Sequence, residues 1–143
     1  MNGMHTIDPA QVTVQVGPYF IDGFGDGQMI KWAPDADWWA KKVGGDGDVT
    51  RILTNDFTGM VTLTLDSASD SNDKLTTLAL IDRHTKAGTV PVQIKDLMGR
   101  TLIATSAAWV KKPTDFNVEK GKSPDREWIL DCGQMEGLFI GGN

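Results

Sequence analysis

Cysteine and histidine are nearly absent from this chain: Cys132 is the single cysteine, and His5 and His84 are the two histidines. One thiol allows no intrachain disulfide, and this donor set is too thin for a zinc site. Cys132 alternates with Trp128 and Leu130, which reads as a small buried hydrophobe rather than a nucleophile. Basic residues are also in deficit. Fourteen Lys and Arg stand against nineteen Asp and Glu, for a net charge of −5 and a pI near 4.8. A sequence-independent nucleic-acid binder needs clustered cations to displace counterions from phosphate, and that excess is missing. No apolar run approaches the ~20 residues of a membrane span. Met1–His5 shows no charged-then-apolar leader. The expectation is a soluble chain made in the cytoplasm, with no membrane partner.

Catalytic signatures are missing as well. Gly23-Phe24-Gly25-Asp26-Gly27 has the glycines of a phosphate loop but neither the GK[ST] ending nor a following helix. Asp46-Gly47-Asp48 lacks the spaced oxygen ligands and closing glutamate of an EF-hand, so it reads as a solvated turn. No serine sits in a nucleophile-elbow context, and with nineteen acids a carboxylate pair carries no information. Catalytic, cofactor-binding and metal-binding residues are therefore all expected to be none: the chain reads as no enzyme, with no cofactor.

What is present is glycine and alternation. Sixteen glycines exceed the usual share of roughly 7% and punctuate short apolar runs, the pattern of a mainly β chain. Hydrophobic residues at 40% and charged residues at 23% fit one globular domain over 1–143. Val12, Val14 and Val16 alternate with polar residues as a half-buried strand does. Further strands are expected at Tyr19–Ile21, at Gln28–Trp32 (stopped by Pro34), and at Phe57–Leu65 with Phe57, Val61, Leu63 and Leu65 on one face. Others follow at Val90–Ile94, where Pro91 marks an edge or a strand start, and at Leu102–Lys111. Arg126–Cys132 and Met135–Ile140 are expected to form a last pair. One helix is expected over about Asn72–Lys86. Ser69 and Ser71 offer N-caps, Leu75, Leu78, Ala79 and Ile81 form the apolar stripe, and Gly88 is the stop. Trp109 and Trp128 fall in strand patterns and are assigned to the core.

The segment Asp37–Asp56 is different. Trp38–Val43 and Val49–Thr54 read as arms of a projecting β-hairpin around the Gly44–Asp48 turn. Trp38 and Trp39 are adjacent, so in a strand they point to opposite faces, and both are covered only if both faces meet something. A carbohydrate platform is one reading. A subunit interface is the preferred one, because aromatics anchor interfaces and the nearby charges can pair across subunits. The contact candidates are Trp38, Trp39, Lys41, Lys42, Asp46, Asp48, Arg51 and Asp56.

Several phrases follow in order along the chain: Gly44-Gly45-Asp46-Gly47-Asp48-Val49-Thr50-Arg51, Thr54-Asn55-Asp56, Thr62-Leu63-Thr64-Leu65, Ser71-Asn72-Asp73, Ile94-Lys95-Asp96, Ala108-Trp109-Val110, Arg126-Glu127-Trp128 and Gly141-Gly142-Asn143. This set resembles the inner tail tube proteins of contractile-tailed bacteriophages. Met1–Asp8 and Asp115–Pro124 contribute little to it. The resemblance implies a β-sandwich or small barrel flanked by one helix, forming ring-shaped oligomers. Six subunits would make a ring, and rings would stack into a tube inside the contractile sheath. Partners would be further copies of the chain, the sheath protein, and tape measure, baseplate and tail terminator proteins. Genomic DNA would pass through the lumen without specific binding, eased by an acidic lining that repels phosphate. The protein would reside in the virion tail of a myovirus. The alternatives are a tube terminator, a baseplate-proximal adaptor, or a carbohydrate-binding β-sandwich module.

Overall fold

A computed structural model describes residues 11–25, 27 and 29–142. The expectations for Met1–Asp8, including His5 and the missing leader, lie outside them, as do Asp26, Gln28 and Asn143. The elements, in order, are β1 (Val12–Val16), β2 (Tyr19–Ile21), β3 (Ile30–Pro34), β4 (Trp39–Val43), β5 (Val49–Leu53), β6 (Gly59–Asp66), α1 (Ser71–Thr85), β7 (Val90–Asp96), β8 (Leu102–Lys112), β9 (Asp125–Cys132) and β10 (Gly137–Phe139).

All strands but β4 and β5 join one eight-stranded sheet in the order β2-β1-β7-β8-β9-β6-β3, with β10 also on β8. The sheet curls back on itself. Leaving β2, the chain pairs Phe24 with Leu65, the Gly25 amide donates to the Thr64 carbonyl at 3.0 Å, and the Asp66 amide donates to Gly23 at 2.8 Å. The chain beyond β2 thus meets β6 on its β3 side, so the two ends of the sheet come together as in a small barrel. Gly23 and Gly25 supply backbone bonds to this seam.

Period-2 alternation fills the interior from every wall: Val14 and Val16 from β1, Val61, Leu63 and Leu65 from β6, Val92 and Ile94 from β7, Trp128, Leu130 and Cys132 from β9. On β8 the buried positions jump from Thr105 to Ala108, because a bulge there shifts the register against β7 between Val90 and Val92. Pro91 lies opposite this bulge as the second residue of β7, an interior strand, so of the two expected places it takes the strand start. It has no N–H to give, and its carbonyl accepts from Gly17 at 2.7 Å. Buried Thr105 is satisfied by donating to the Gln134 carbonyl at 3.1 Å.

Helix α1 supplies Leu75 and Leu78 to the same core. Its start and stop differ from expectation. Asp70 is the N-cap residue without a side-chain bond, and Lys86, in the left-handed region at φ 60°, ends it before Gly88. Ser71 is buried, donating to Asp22 Oδ1 at 3.1 Å and accepting from the Asp22 amide at 3.0 Å. Ile81 is exposed, as is Leu80, so the apolar stripe ends after two turns, where the helix leaves the barrel. Asn72 is the hub of this end: it accepts from buried Trp128 Nε1 at 2.9 Å and donates to the carbonyls of Asp66 and Ser69, both at 2.9 Å.

β3 ends on Pro34 as expected, paired with Gly59 on an edge strand where no donor is needed. Three further expectations are corrected. Phe57 precedes β6 and is exposed. Trp109 is half-buried, not core. Strands β9 and β10 do not pair with each other, since each takes its own length of β8.

Candidate assembly interface

Strands β4 and β5 form a separate two-stranded sheet, and every residue in both is exposed. The pairing runs Trp39–Leu53, Ala40–Ile52, Lys41–Arg51, Lys42–Thr50 and Val43–Val49. One face therefore carries Trp39, Lys41, Val43, Val49, Arg51 and Leu53, and the other carries Ala40, Lys42, Thr50 and Ile52. At the tip the Gly44 amide donates to the Asp48 carbonyl at 2.7 Å and the Gly47 amide to Gly44 at 3.0 Å. Gly47 sits at φ +90° with open space around it, a conformation that glycine adopts without a Cβ penalty. Asp46 Oδ1 accepts from the Asp48 amide at 3.2 Å and stiffens the turn.

The hairpin is rooted by aromatics and one glutamine. The Trp38 and Phe57 rings meet edge to face at 4.9 Å, a geometry worth about 0.5–1.5 kcal/mol beyond burial. Gln134 bridges the root, its Oε1 accepting from the Phe57 amide at 2.8 Å and its Nε2 donating to the Asn55 carbonyl at 3.2 Å. Trp38 and Trp39 line depressions on both sides. One of about 340 Å³ includes Leu53 and Phe57. The other, of about 470 Å³, includes Trp32, Leu138 and Ile140. Behind the second, the Trp32 indole lies against Gly59, where any Cβ would fall 2.4 Å from Nε1. That contact buries the Trp32 N–H with no partner among the described residues.

The predicted contact residues do not all behave alike. The Arg51 guanidinium stacks 3.7 Å above the Trp39 ring, which takes one aromatic face that a sugar would need. Lys41 and Arg51 face each other across the strands, and like charges so placed are unfavourable. The Lys122–Glu119 contact at 3.8 Å is the sole ion pair among the described residues, so Lys41, Lys42 and Arg51 have no carboxylate partner there. Asp56 is committed locally: it accepts from the Thr58 amide at 3.0 Å and from its hydroxyl. Those two bonds, the hydroxyl's first, hold its carboxyl below the usual aspartate value. Asp66 is lowered similarly by the Ala68 amide and the Ser123 hydroxyl. Burial, reinforced by the nearby Asp131 and Asp35 charges, pushes the Cys132 thiol up to about 11, which marks it as inert.

Sequence reasoning passed over a second projection. Between β8 and β9, Phe116 is 82% and Val118 77% exposed. Arg126 holds this segment, donating to the Asp115 carbonyl at 3.0 Å and to Asn117 Oδ1 at 3.2 Å, with its guanidinium 5.2 Å over the Phe116 ring. Two apolar residues, Phe116 and Val118, in an otherwise polar connection were the available signal. Beneath them lies a cleft of about 630 Å³. No described helix is long and apolar enough to cross a membrane.

Residues 10–139 match the family model described as the bacteriophage PhiTE tail tube protein. Structural protein ORF10 of Pseudomonas phage KPP10 is 28% identical over 113 residues, an alignment that takes in 73% of this chain and 65% of that protein. The chain thus spans just under two-thirds of that relative's length. Three cryo-EM structures share the fold. The sheath/tube terminator of an extracellular contractile injection system, PVC, aligns with a TM-score of 0.60 at 14% identity, covering 99% of this chain and 100% of that one. The PVC sheath–tube complex gives 0.57 at 13% identity, covering 93% and 91%. The tube-terminating cap of the anti-feeding prophage gives 0.57 at 10% identity, covering 94% and 92%.

Proposed function

The chain belongs to the bacteriophage PhiTE tail tube protein family, and from that membership we propose that it is the repeating subunit of the tail tube of a contractile-tailed phage. In this reading six copies form a ring, rings stack into a tube within the sheath, and the lumen conducts DNA at ejection without binding it. The observation that carries the reading is the exposed β4–β5 hairpin. Its apolar side chains are exposed and its cations have no carboxylate partner among the described residues, and a neighbouring copy supplies what they lack. Large exposed apolar surface of this kind belongs to interaction sites. Contacts with sheath, tape measure, baseplate and terminator proteins follow from the same role, as does residence in the virion.

A terminator is the second reading, favoured by the full-length likeness to the PVC sheath/tube terminator. Negative-stain microscopy of the purified protein separates the two. A tube subunit gives stacked rings of indefinite length with a central channel, whereas a terminator gives single rings that do not grow. A monodisperse monomer at high concentration, unchanged by added tail components, overturns both.

A further inference from the structure

The cleft of about 630 Å³ beneath Phe116 lies between the connection after β8 and the outer face of β9. On the strand side Asp125, Glu127 and Ile129 stand two residues apart, about 7 Å from one to the next at the usual rise. On the other side are Asp115 and Phe116. That connection is fixed at both ends. Arg126 donates to the Asp115 carbonyl at 3.0 Å and to the Asn117 carbonyl at 3.4 Å. Ser123 donates to Asp66 Oδ1 at 3.0 Å, and its hydroxyl lies 2.8 Å from that of Ser67. A segment held in this way has little freedom left to lose on binding, yet it keeps Phe116 and Val118 in solvent.

Charge is graded along the cleft. Cross-strand partners share a face, and the row through Ile129 reads Lys31, Thr62, Ile129 and Lys112 across β3, β6, β9 and β8. The next row pairs Thr64 with Glu127, and the last pairs Asp66 with Asp125. The face therefore passes from two lysines to a group of acids within about 13 Å, and the Arg126 bond brings Asp115 to the acidic end. Asp115, Asp125 and Glu127 have no ion-pair partner among the described residues.

An extended segment repeats its side chains at the spacing of Asp125, Glu127 and Ile129. The matching segment carries Lys or Arg opposite each acid and, two residues on, an aliphatic side chain against Ile129 and Phe116. A third cation at that place is opposed by Lys31 and Lys112, which gives the pattern a direction. We propose that this cleft docks an extended cationic segment of another protein, with the pattern basic–x–basic–x–aliphatic. The assignment uses no part of the hairpin and holds for a tube subunit and a terminator alike.

The probe is a fluorescein-labelled nonapeptide with lysine at its third and fifth positions, valine at its seventh and threonine elsewhere. Anisotropy against the full-length chain at low salt, where screening is weak, should show saturable binding. Asp125→Asn with Glu127→Gln should weaken it about tenfold, and Phe116→Ala should weaken it as well. Asp46→Asn with Asp48→Asn removes the same charge from the hairpin tip and should leave the affinity unchanged. A peptide with its two lysines adjacent should bind less tightly than the spaced one. Circular dichroism with a thermal melt checks each variant, and Asp115→Asn, with a smaller loss, stands in if the strand variant does not fold. Equal losses in the two double variants mean that net charge alone attracts the peptide, and overturn the proposal. So does a parent chain that leaves the peptide unbound. If the Asp125/Glu127 variant instead stops the chain from assembling while the parent ignores the peptide, the occupant is a further copy and the proposal is again refuted.

Discussion

Excising the hairpin separates folding from assembly more cleanly than any point substitution. The Thr54 amide donates to the Trp38 carbonyl at 2.8 Å, so the chain ends left by removing Trp39–Leu53 already stand side by side. An Asn-Gly pair bridges them as a tight turn. None of the deleted residues belongs to the core cluster, so no core burial is lost. The deletion roughly halves the connection between Pro34 and Gly59, and each halving of a loop contributes about 0.6 kcal/mol in favour of folding. An isolated two-stranded ribbon is itself near zero in stability. The net change is therefore small, within about 1 kcal/mol, or about 4 °C in Tm for a chain of this size. Thermal unfolding followed by circular dichroism reads the first quantity, and pelleting with electron microscopy reads polymer yield. The excised chain should melt like its parent and form no tubes. A fall in Tm beyond about 10 °C would mean that the hairpin is part of the folding unit. Normal tubes would mean that it is not an assembly element.

Two further outcomes follow from the barrel and its turns. Asn72→Ala orphans the buried Trp128 N–H and removes two donors to carbonyls, so a loss of about 2–4 kcal/mol is expected; in a double-mutant cycle on thermal or urea unfolding, Trp128→Phe should cost less on the Asn72→Ala background than alone, and strict additivity would refute the bond's role. Asp56 and Asp66 have folded-state pKa values below 3.8, so their contribution to stability is present above 3.8 and lost as pH falls through the lowered values. In Thr58→Val the Asp56 carboxyl should titrate closer to 3.8 by NMR while Asp66 stays put, and an unmoved Asp56 would show that the hydroxyl does not hold it.

Much of the fold was legible because alternation and burial report each other. The set Val61, Leu63 and Leu65 was read from period 2 and is fully buried, and the hairpin arms fell within a residue of their observed ends. The errors share a cause: local pattern does not reveal which neighbour a residue meets. Ile81 has helical spacing, but the helix has by then run past the barrel. Phe57 continues the alternation of β6, yet the strand begins after it and the ring turns to Trp38 instead.

The candidate interface was half legible. Adjacent tryptophans and a glycine–aspartate tip identified the hairpin, because side chains on both faces of a thin ribbon require cover from outside. The cleft beneath Phe116 was not legible, because its carboxylates come from the loop after β8 and from the outer face of β9, which only the fold brings together. By itself, then, the sequence determined the element types and most of the core faces, since these depend on composition and on neighbours along the chain. Tertiary structure decided how the two ends of the sheet meet, the role of Asn72 as a hub and which residues line the cleft beneath Phe116. Those depend on hydrogen bonds and charges between residues far apart in the chain, whose meeting no periodicity encodes.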